Sequence, residues 1–346
     1  MHQQIEKMRR LLLVIVMTVL LLQNATLSAQ GTDLGHLYAV LVNGGRNRLT
    51  NHERYWNDCA FLYRTLRQTF HIPKRNITVL MSDGGLSGDD MLREDGRGFV
   101  SSPVDLDGDG QSDVDYAATR EVLVNVMLNM SRRLTSDDHL YLFIVDHGGS
   151  TDRLSDSFIW LWNDDKMEDY TLGSLLGLFQ VASINVLMGQ CYSGGFIDNL
   201  MRNGLVIATA CSGNEQSWVS PDRPYDEFVY HWTCAVNEAD TEGNTITADA
   251  DGDGQVSMAE AFAYARSHDR VNESPQYASW PEELGEQWTF GNANNGTLGI
   301  KEVRSDEMES DRSSDIWTVS GVRQQNAKAH AVYIERRGGK IRKIVR

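Results

Sequence analysis

Three groupings of side chains in this sequence have types and spacings suited to chemistry. Asp146-His147-Gly148-Gly149 and Gln190-Cys191-Tyr192-Ser193-Gly194 each follow an apolar run, and each sets one reactive side chain just ahead of small residues. A thiol beside an imidazole gives a thiolate near neutral pH, and a thiolate attacks acyl carbons. Glycine admits close approach of a substrate backbone and leaves main-chain N–H groups available. Such donors form an oxyanion hole, each contributing roughly 10²–10³ in rate. The third grouping is acidic. Asp249, Asp251, Asp253, Gln255 and Glu260 occupy the ligand positions of a twelve-residue EF-type calcium loop, with Gly254 at its sixth position. Residues 238–247 show no entering helix, so the expectation is a half-hand of loop and exit helix. A second such loop begins with Asp105, Asp107, Asp109, Gln111 and Asp113, but Tyr116 stands where the closing glutamate belongs. Asp113 or Asp115 then has to complete that shell. Both loops lie away from His147 and Cys191, so bound Ca²⁺ is expected to stabilise the fold.

The imidazole and the thiol meet only if the chain folds them together. Strands are predicted at 37–43, 77–82, 140–145, 158–162, 184–189 and 205–210, and helices at 54–70, 117–134, 172–179 and 226–237. Near-continuous apolar strands alternating with amphipathic helices indicate an α/β fold, a mainly parallel sheet with helices on both faces. Residues 158–162 alternate less clearly and read as a hairpin arm. Reactive residues at the carboxyl ends of parallel strands lie in the crevice where such sheets carry out chemistry.

Together these residues resemble the legumain-like cysteine peptidases, of the clan that also holds caspases, clostripain-like enzymes and the catalytic subunit of the GPI transamidase. The resemblance spans residues 37–235. It is carried by His139-Leu140-Tyr141-Leu142-Phe143 leading into Asp146-His147-Gly148, by the Cys191 turn, and by Ala208-Thr209-Ala210 followed by Glu215-Gln216-Ser217-Trp218. It implies a caspase-like sheet, Cys191 as nucleophile, His147 as proton-transfer partner, and the N–H groups of Gly148 and Cys191 as oxyanion hole. The implied substrate is a peptide or protein, with no organic cofactor. The resemblance also places Arg54 at the base of the specificity pocket, with Ser217 and Asp226 on its walls, favouring Asn or Asp before the scissile bond. Read from the residues alone, Arg54 is equally a surface ion pair. One departure is Gly189, which stands where legumains carry an acidic residue two before the nucleophile. The same dyad serves a transpeptidase or ligase if an amine resolves the acyl-enzyme. The rival of another class is a silent calcium-dependent binding module, against which the intact His147, Gly148 and Cys191 argue.

The bulk properties set bounds on all this. With 346 residues, 41% hydrophobic and 23% charged, the chain has a globular composition. A net charge of −16 excludes nucleic-acid binding through a basic face. Lys7, Arg9 and Arg10, an apolar run over 11–22 and small residues up to Ala29 make residues 1–29 a signal peptide. Export to the periplasm, cell surface or medium is expected. That run falls short of the roughly twenty residues a membrane span needs, so an uncleaved anchor is the weaker alternative. Cys59, Cys191, Cys211 and Cys234 are too few for a disulfide framework, and Cys59 and Cys211 read as small buried hydrophobes. Residues 30–300 form the expected peptidase domain, with calcium loops at 105–116 and 249–260, and 301–315 a charged linker. Residues 316–346 are basic, with short β-like pieces and a Gly338-Gly339 turn. They resemble the C-terminal sorting domains of the type IX system of some Gram-negative bacteria, which implies secretion machinery as a partner. The alternative is a basic tail that binds the acidic domain.

Overall fold

Eleven strands precede residue 299 among the described residues: β1 (Leu37–Asn43), β2 (Ile77–Met81), β3 (Met91–Leu92), β4 (Phe99–Val100), β5 (His139–Ile144), β6 (Gly148–Ser150), β7 (Ser157–Leu161), β8 (Asp165–Glu168), β9 (Ser183–Met188), β10 (Leu205–Thr209) and β11 (Gln276–Trp280). The structure, a computed structural model, describes residues 35–151 and 156–298, and the strands at 315–318, 323–324, 332–337 and 340–345. The expected signal segment and most of the expected linker lie outside the described residues. The chain divides into two compact units between Leu298 and Gly299.

The main sheet has the order β11-β10-β9-β5-β1-β2 and is parallel except for β11, which pairs antiparallel with β10. Its longer helices are α1 (Glu53–Arg64), α2 (Arg120–Arg133), α3 (Asp169–Leu176), α4 (Glu227–Asn237) and α5 (Met258–His268). Side chains alternate between the faces of a strand, and β5 shows the consequence. Leu140, Leu142 and Ile144 pack with Leu123 and Met127 of α2 and Leu172 of α3 in one core. Tyr141, on the opposite face, stacks on Trp232 of α4 and meets Phe290 edge-on. Both faces are covered, so these strands are apolar almost throughout.

The order also explains where the crevice lies. From β1 the chain moves outward to β2, then returns to β5 on the other side of β1 and continues outward through β9 and β10. The loops after β1 and β5 therefore diverge at a switch point, the usual position of a binding crevice. Residues 158–162, read as a hairpin arm, are β7, the middle of a separate antiparallel sheet β6-β7-β8 that follows His147. β11 was not expected: Gln-Tyr-Ala-Ser-Trp mixes polar and apolar residues because an edge strand buries little of itself. The helix expected over 54–70 is α1 followed by a π-helical turn at Thr65–Thr69. No helix among the described residues is long and apolar enough to cross a membrane. All four cysteines are free; Cys59, Cys211 and Cys234 are buried and Cys191 is partly exposed. In the C-terminal unit, β12 (Asp315–Thr318), β13 (Arg323–Gln324), β14 (Val332–Arg337) and β15 (Lys340–Val345) form an antiparallel sheet of order β13-β12-β14-β15.

Candidate active site

His147 and Cys191 follow β5 and β9, neighbouring parallel strands in register from His139 opposite Ser183 to Ile144 opposite Met188. Each residue lies three positions beyond its strand, so the two loops leave the same sheet edge side by side. Gly148 is the point of contact. A Cβ there would lie 2.0 Å from the main-chain oxygen of Cys191, closer than any side chain tolerates. Trp160 N–H donates to His147 O at 2.9 Å, which makes Gly148–Ile159 a non-hydrogen-bonded pair of the β6–β7 ladder. The Gly148 N–H is left unused by that ladder. Tyr192, directly after the nucleophile candidate, has φ 59°, the sharp turn that ends the strand run.

The imidazole is fixed from three sides. Asp146 is buried and accepts N–H groups from both His147 and Gly45, tying the β5 end to the loop after β1. His147 Nε2 lies 2.9 Å from Thr50 O. A carbonyl only accepts, so Nε2 carries the proton and Nδ1 is the basic nitrogen. Tyr55 Oη lies 3.3 Å from Nδ1, and Arg54 Nη2 donates to that same hydroxyl at 3.1 Å. Burial, helped by the charges of Arg54 and Arg46, holds the His147 imidazole below its ordinary pKa against the pull of the Thr50 carbonyl. The ring is therefore neutral at neutral pH, as a proton acceptor must be. Cys191 Sγ lies 3.7 Å from Ser217 Oγ and 3.8 Å from Ser217 O.

Arg54 and Asp226, 172 positions apart in sequence, form an ion pair, Nε to Oδ1 2.7 Å. Their side chains are 15% and 6% exposed, which sets the pair apart from a surface salt bridge. Beneath it lies buried Asp58, whose Oδ2 accepts Asp226 N–H at 3.2 Å. Burial and then the Asp226 charge push the Asp58 carboxyl well above the usual range; burial pushes Asp226 up to about 6 despite Arg54. Glu227 N–H donates to Trp218 O at 3.1 Å, which joins the start of α4 to the segment holding Ser217. Gly189 also acquires a reason: a Cβ there would lie 2.5 Å from Val229 Cγ2, so any side chain at this position requires the Val229 side chain to move.

The two acidic loops share one backbone design. Asp105 accepts Gly108 and Gly110 N–H groups at 2.7 and 2.8 Å, as Asp249 accepts those of Gly252 and Gly254 at 2.7 and 2.9 Å. In each loop three aspartates, 105, 107 and 109 or 249, 251 and 253, bring carboxylate oxygens within 4.8 Å of one another. They diverge at the closing position. Glu260 folds back over the second loop, accepting the N–H groups of Ala250 and Asp251 while also capping α5 with Ser257. Residues 238–247 contain no helix, and α5 is the exit helix. Asp113 is not brought to the first cluster: it accepts from Tyr63 Oη, Lys74 Nζ and Leu106 N–H. Asp115 is taken up by Val79 N–H. Gln255 directs its side-chain oxygen to Thr289 Oγ1, and Gln111 its amide to Asp109.

Sequence reasoning missed Thr50, Tyr55 and the bracing role of Asp146. Tyr55 adjoins Arg54 and Asp146 adjoins His147, so adjacency was the available signal for those two. Thr50 acts through its main chain, which no residue type announces.

The family model described as the Peptidase C13 family matches residues 37–251. No curated protein matches. Among solved structures the chain is similar to protein GSU0716 from Geobacter sulfurreducens, at 13% identity and a TM-score of 0.41, over 70% of this chain and 92% of that one.

Proposed function

The chain belongs to the Peptidase C13 family, the legumain family, and from that premise we propose an exported, calcium-binding cysteine endopeptidase that cleaves after Asn or Asp. The observation that carries this reading is the placement of His147 and Cys191 beyond neighbouring parallel strands, with Gly148 against the Cys191 main chain. His147 Nδ1 takes the Cys191 proton, and the thiolate attacks the scissile carbonyl. The N–H groups of Gly148 and Cys191 receive the developing oxyanion. His147 then protonates the leaving amine, and water resolves the acyl-enzyme with the imidazole again as base.

Arg54 and Asp226 supply a donor and an acceptor suited to the two ends of a carboxamide, with Ser217 beside the nucleophile. A positional peptide library read by mass spectrometry at several pH values tests this. Cleavage after Asn is expected at neutral pH. As pH falls through about 6, Asp226 takes up a proton and leaves the Arg54 charge unbalanced, so cleavage after Asp grows relative to Asn. A preference for large apolar residues would remove the pocket assignment.

Calcium binding at 249–260 rests on the aspartate cluster and on Glu260 closing over it; at 105–113 it rests on the three aspartates alone. The ion would neutralise clustered carboxylates and brace the loops, with no part in the bond-breaking steps. Calorimetric titration should find two sites of unequal affinity. Saturation to a hundredfold above Kd stabilises the fold by ~2.7 kcal/mol per site. Glu260→Gln should weaken the tighter site and Asp109→Asn the other. Absence of uptake at millimolar calcium would overturn both.

A further inference from the structure

Beyond α5 the chain carries two partly buried carboxyl groups, Asp269 and Glu273, that the catalytic scheme leaves unused. Glu273 Oε2 accepts the main-chain N–H of Trp218 at 2.7 Å, and Asp269 Oδ1 accepts that of Val271 at 3.1 Å. The other oxygens, Asp269 Oδ2 and Glu273 Oε1, are fully buried, and no protein donor among the described residues reaches them. Each side chain is instead the hydrogen-bond neighbour of the other. An ionised carboxylate only accepts. Two facing carboxyl groups therefore bond only if a proton lies between them, as like charges sharing a site require.

What this pair holds is next to the nucleophile. Residues 215–218 run past Cys191: Glu215 O accepts Tyr192 N–H at 2.9 Å, and Ser217 touches Sγ. On the far side, the Glu215 carboxylate accepts Ser274 N–H at 2.9 Å, and Glu273 takes Trp218 N–H. The segment is thus clamped between the nucleophile turn and residues 273–274. We propose that Asp269 and Glu273 are positioning residues that share one proton, and that this proton fixes residues 215–218 as the wall of the substrate cleft.

The surroundings favour the protonated form. Burial pushes both carboxyls upward; Asp226 adds to this at Glu273, and Glu227 at Asp269. Cys211 also lies within the field of Glu273. Arg270, the cation between them in sequence, is committed to Asp222 and Glu227, and His231 faces Glu227 at 3.5 Å. When rising pH removes the proton, two negative charges, each with one buried oxygen, face each other and the clamp on Trp218 loosens. The linkage has the matching sign. The folded form keeps a proton that the unfolded chain releases above about pH 4.3, so stability falls from there upward through the folded pKa.

The structural test needs no turnover; only its kinetic arm rests on the peptidase reading. Trp218 emission, taken as the parent minus the Trp218→Phe variant in a Cys191→Ala background, is followed from about pH 5 to 10. The parent should show a titration step. In Glu273→Gln the step should vanish, because the amide donates to Asp269 permanently while its oxygen still accepts from Trp218. Asp269→Asn places the same permanent donor on the other side and serves if the first variant does not fold. A step that persists unchanged in these variants, or a parent with no step, would overturn the proposal. In the Cys191 enzyme, KM for an Asn-containing peptide should rise by about threefold or more across the same range, with a smaller change in kcat, and this rise should be absent in Glu273→Gln. A KM rise of equal size in the variant counts against the proposal. A parent that hydrolyses nothing at any pH sinks the peptidase reading while leaving the fluorescence result to decide this one.

Discussion

Cys191→Ala should leave a folded protein whose peptide hydrolysis is reduced by at least about a thousandfold, because the covalent route is lost and only binding and oxyanion contacts remain. The fold should barely register the change. Cys191 is partly exposed, and its sulfur contacts to Ser217 are long, 3.7 and 3.8 Å, so little packing disappears with Sγ. His147→Ala should lower the rate by ~10²–10⁴, the usual contribution of a positioned acid–base group. His147→Ala also releases the Thr50 carbonyl and the Tyr55 hydroxyl, so a modest loss of stability should accompany it. Steady-state kinetics on a quenched fluorescent peptide, with circular dichroism on each variant, checks both. Substantial turnover by the Cys191→Ala protein would remove the nucleophile assignment. Full activity in His147→Ala would remove the base.

The parts of this arrangement that could be read in the sequence are those where residue type and local pattern coincide. The apolar runs before His147 and Cys191 had to be strands covered on both faces, and they are the central pair of the sheet. The glycine after His147 reads in the sequence as room for a substrate backbone, and the fold gives the missing Cβ another reason, the Cys191 carbonyl seated against it. The acidic loops were legible because alternate aspartates with glycine at fixed offsets dictate a turn, and both loops form the same one. Other features carry no local signature. Asp113 looks like a loop ligand in sequence, yet Tyr63 and Lys74 approach from elements 50 and 39 positions away and take it inside. Asp269 and Glu273 belong to no motif in the sequence, and only the fold brings Glu273 to the main chain of Trp218 and the two side chains to each other. β11 escaped notice because an edge strand with part-exposed faces has no apolar periodicity to detect.

Arg54 and Asp226 offer the largest expected effect on stability, with a pH signature that separates a buried pocket pair from a surface bridge. Removing one member of a buried ion pair costs about 3–5 kcal/mol because the other charge is left without a partner. The two deletions are not equivalent. In Arg54→Met, Asp226 and Asp58 remain as neighbouring buried carboxyls, and Asp226 escapes the penalty by taking a proton. Its folded pKa, already raised by burial, rises further. A carboxyl raised above its unfolded value costs nothing below that unfolded value and progressively more as pH climbs. The loss in Arg54→Met should therefore be small near about pH 4 and approach its full size near pH 8. In Asp226→Asn the stranded group is a guanidinium, which does not deprotonate, and the carboxyl whose folded pKa is raised to about 6 is gone. The parent loses stability as pH climbs through that value and the variant does not. The cost should therefore be greatest near about pH 4 and shrink toward pH 8, the opposite trend. The double variant should recover part of the sum, since no lone charge remains. Denaturant unfolding of the three proteins at both pH values provides the measurement. Equal, sub-kilocalorie effects at both would mean that the pair behaves as a solvated bridge, and the carboxamide pocket would lose its base. Cleavage after Asn should fall in both single variants by about ten- to a hundredfold, the worth of one hydrogen bond to a charged group.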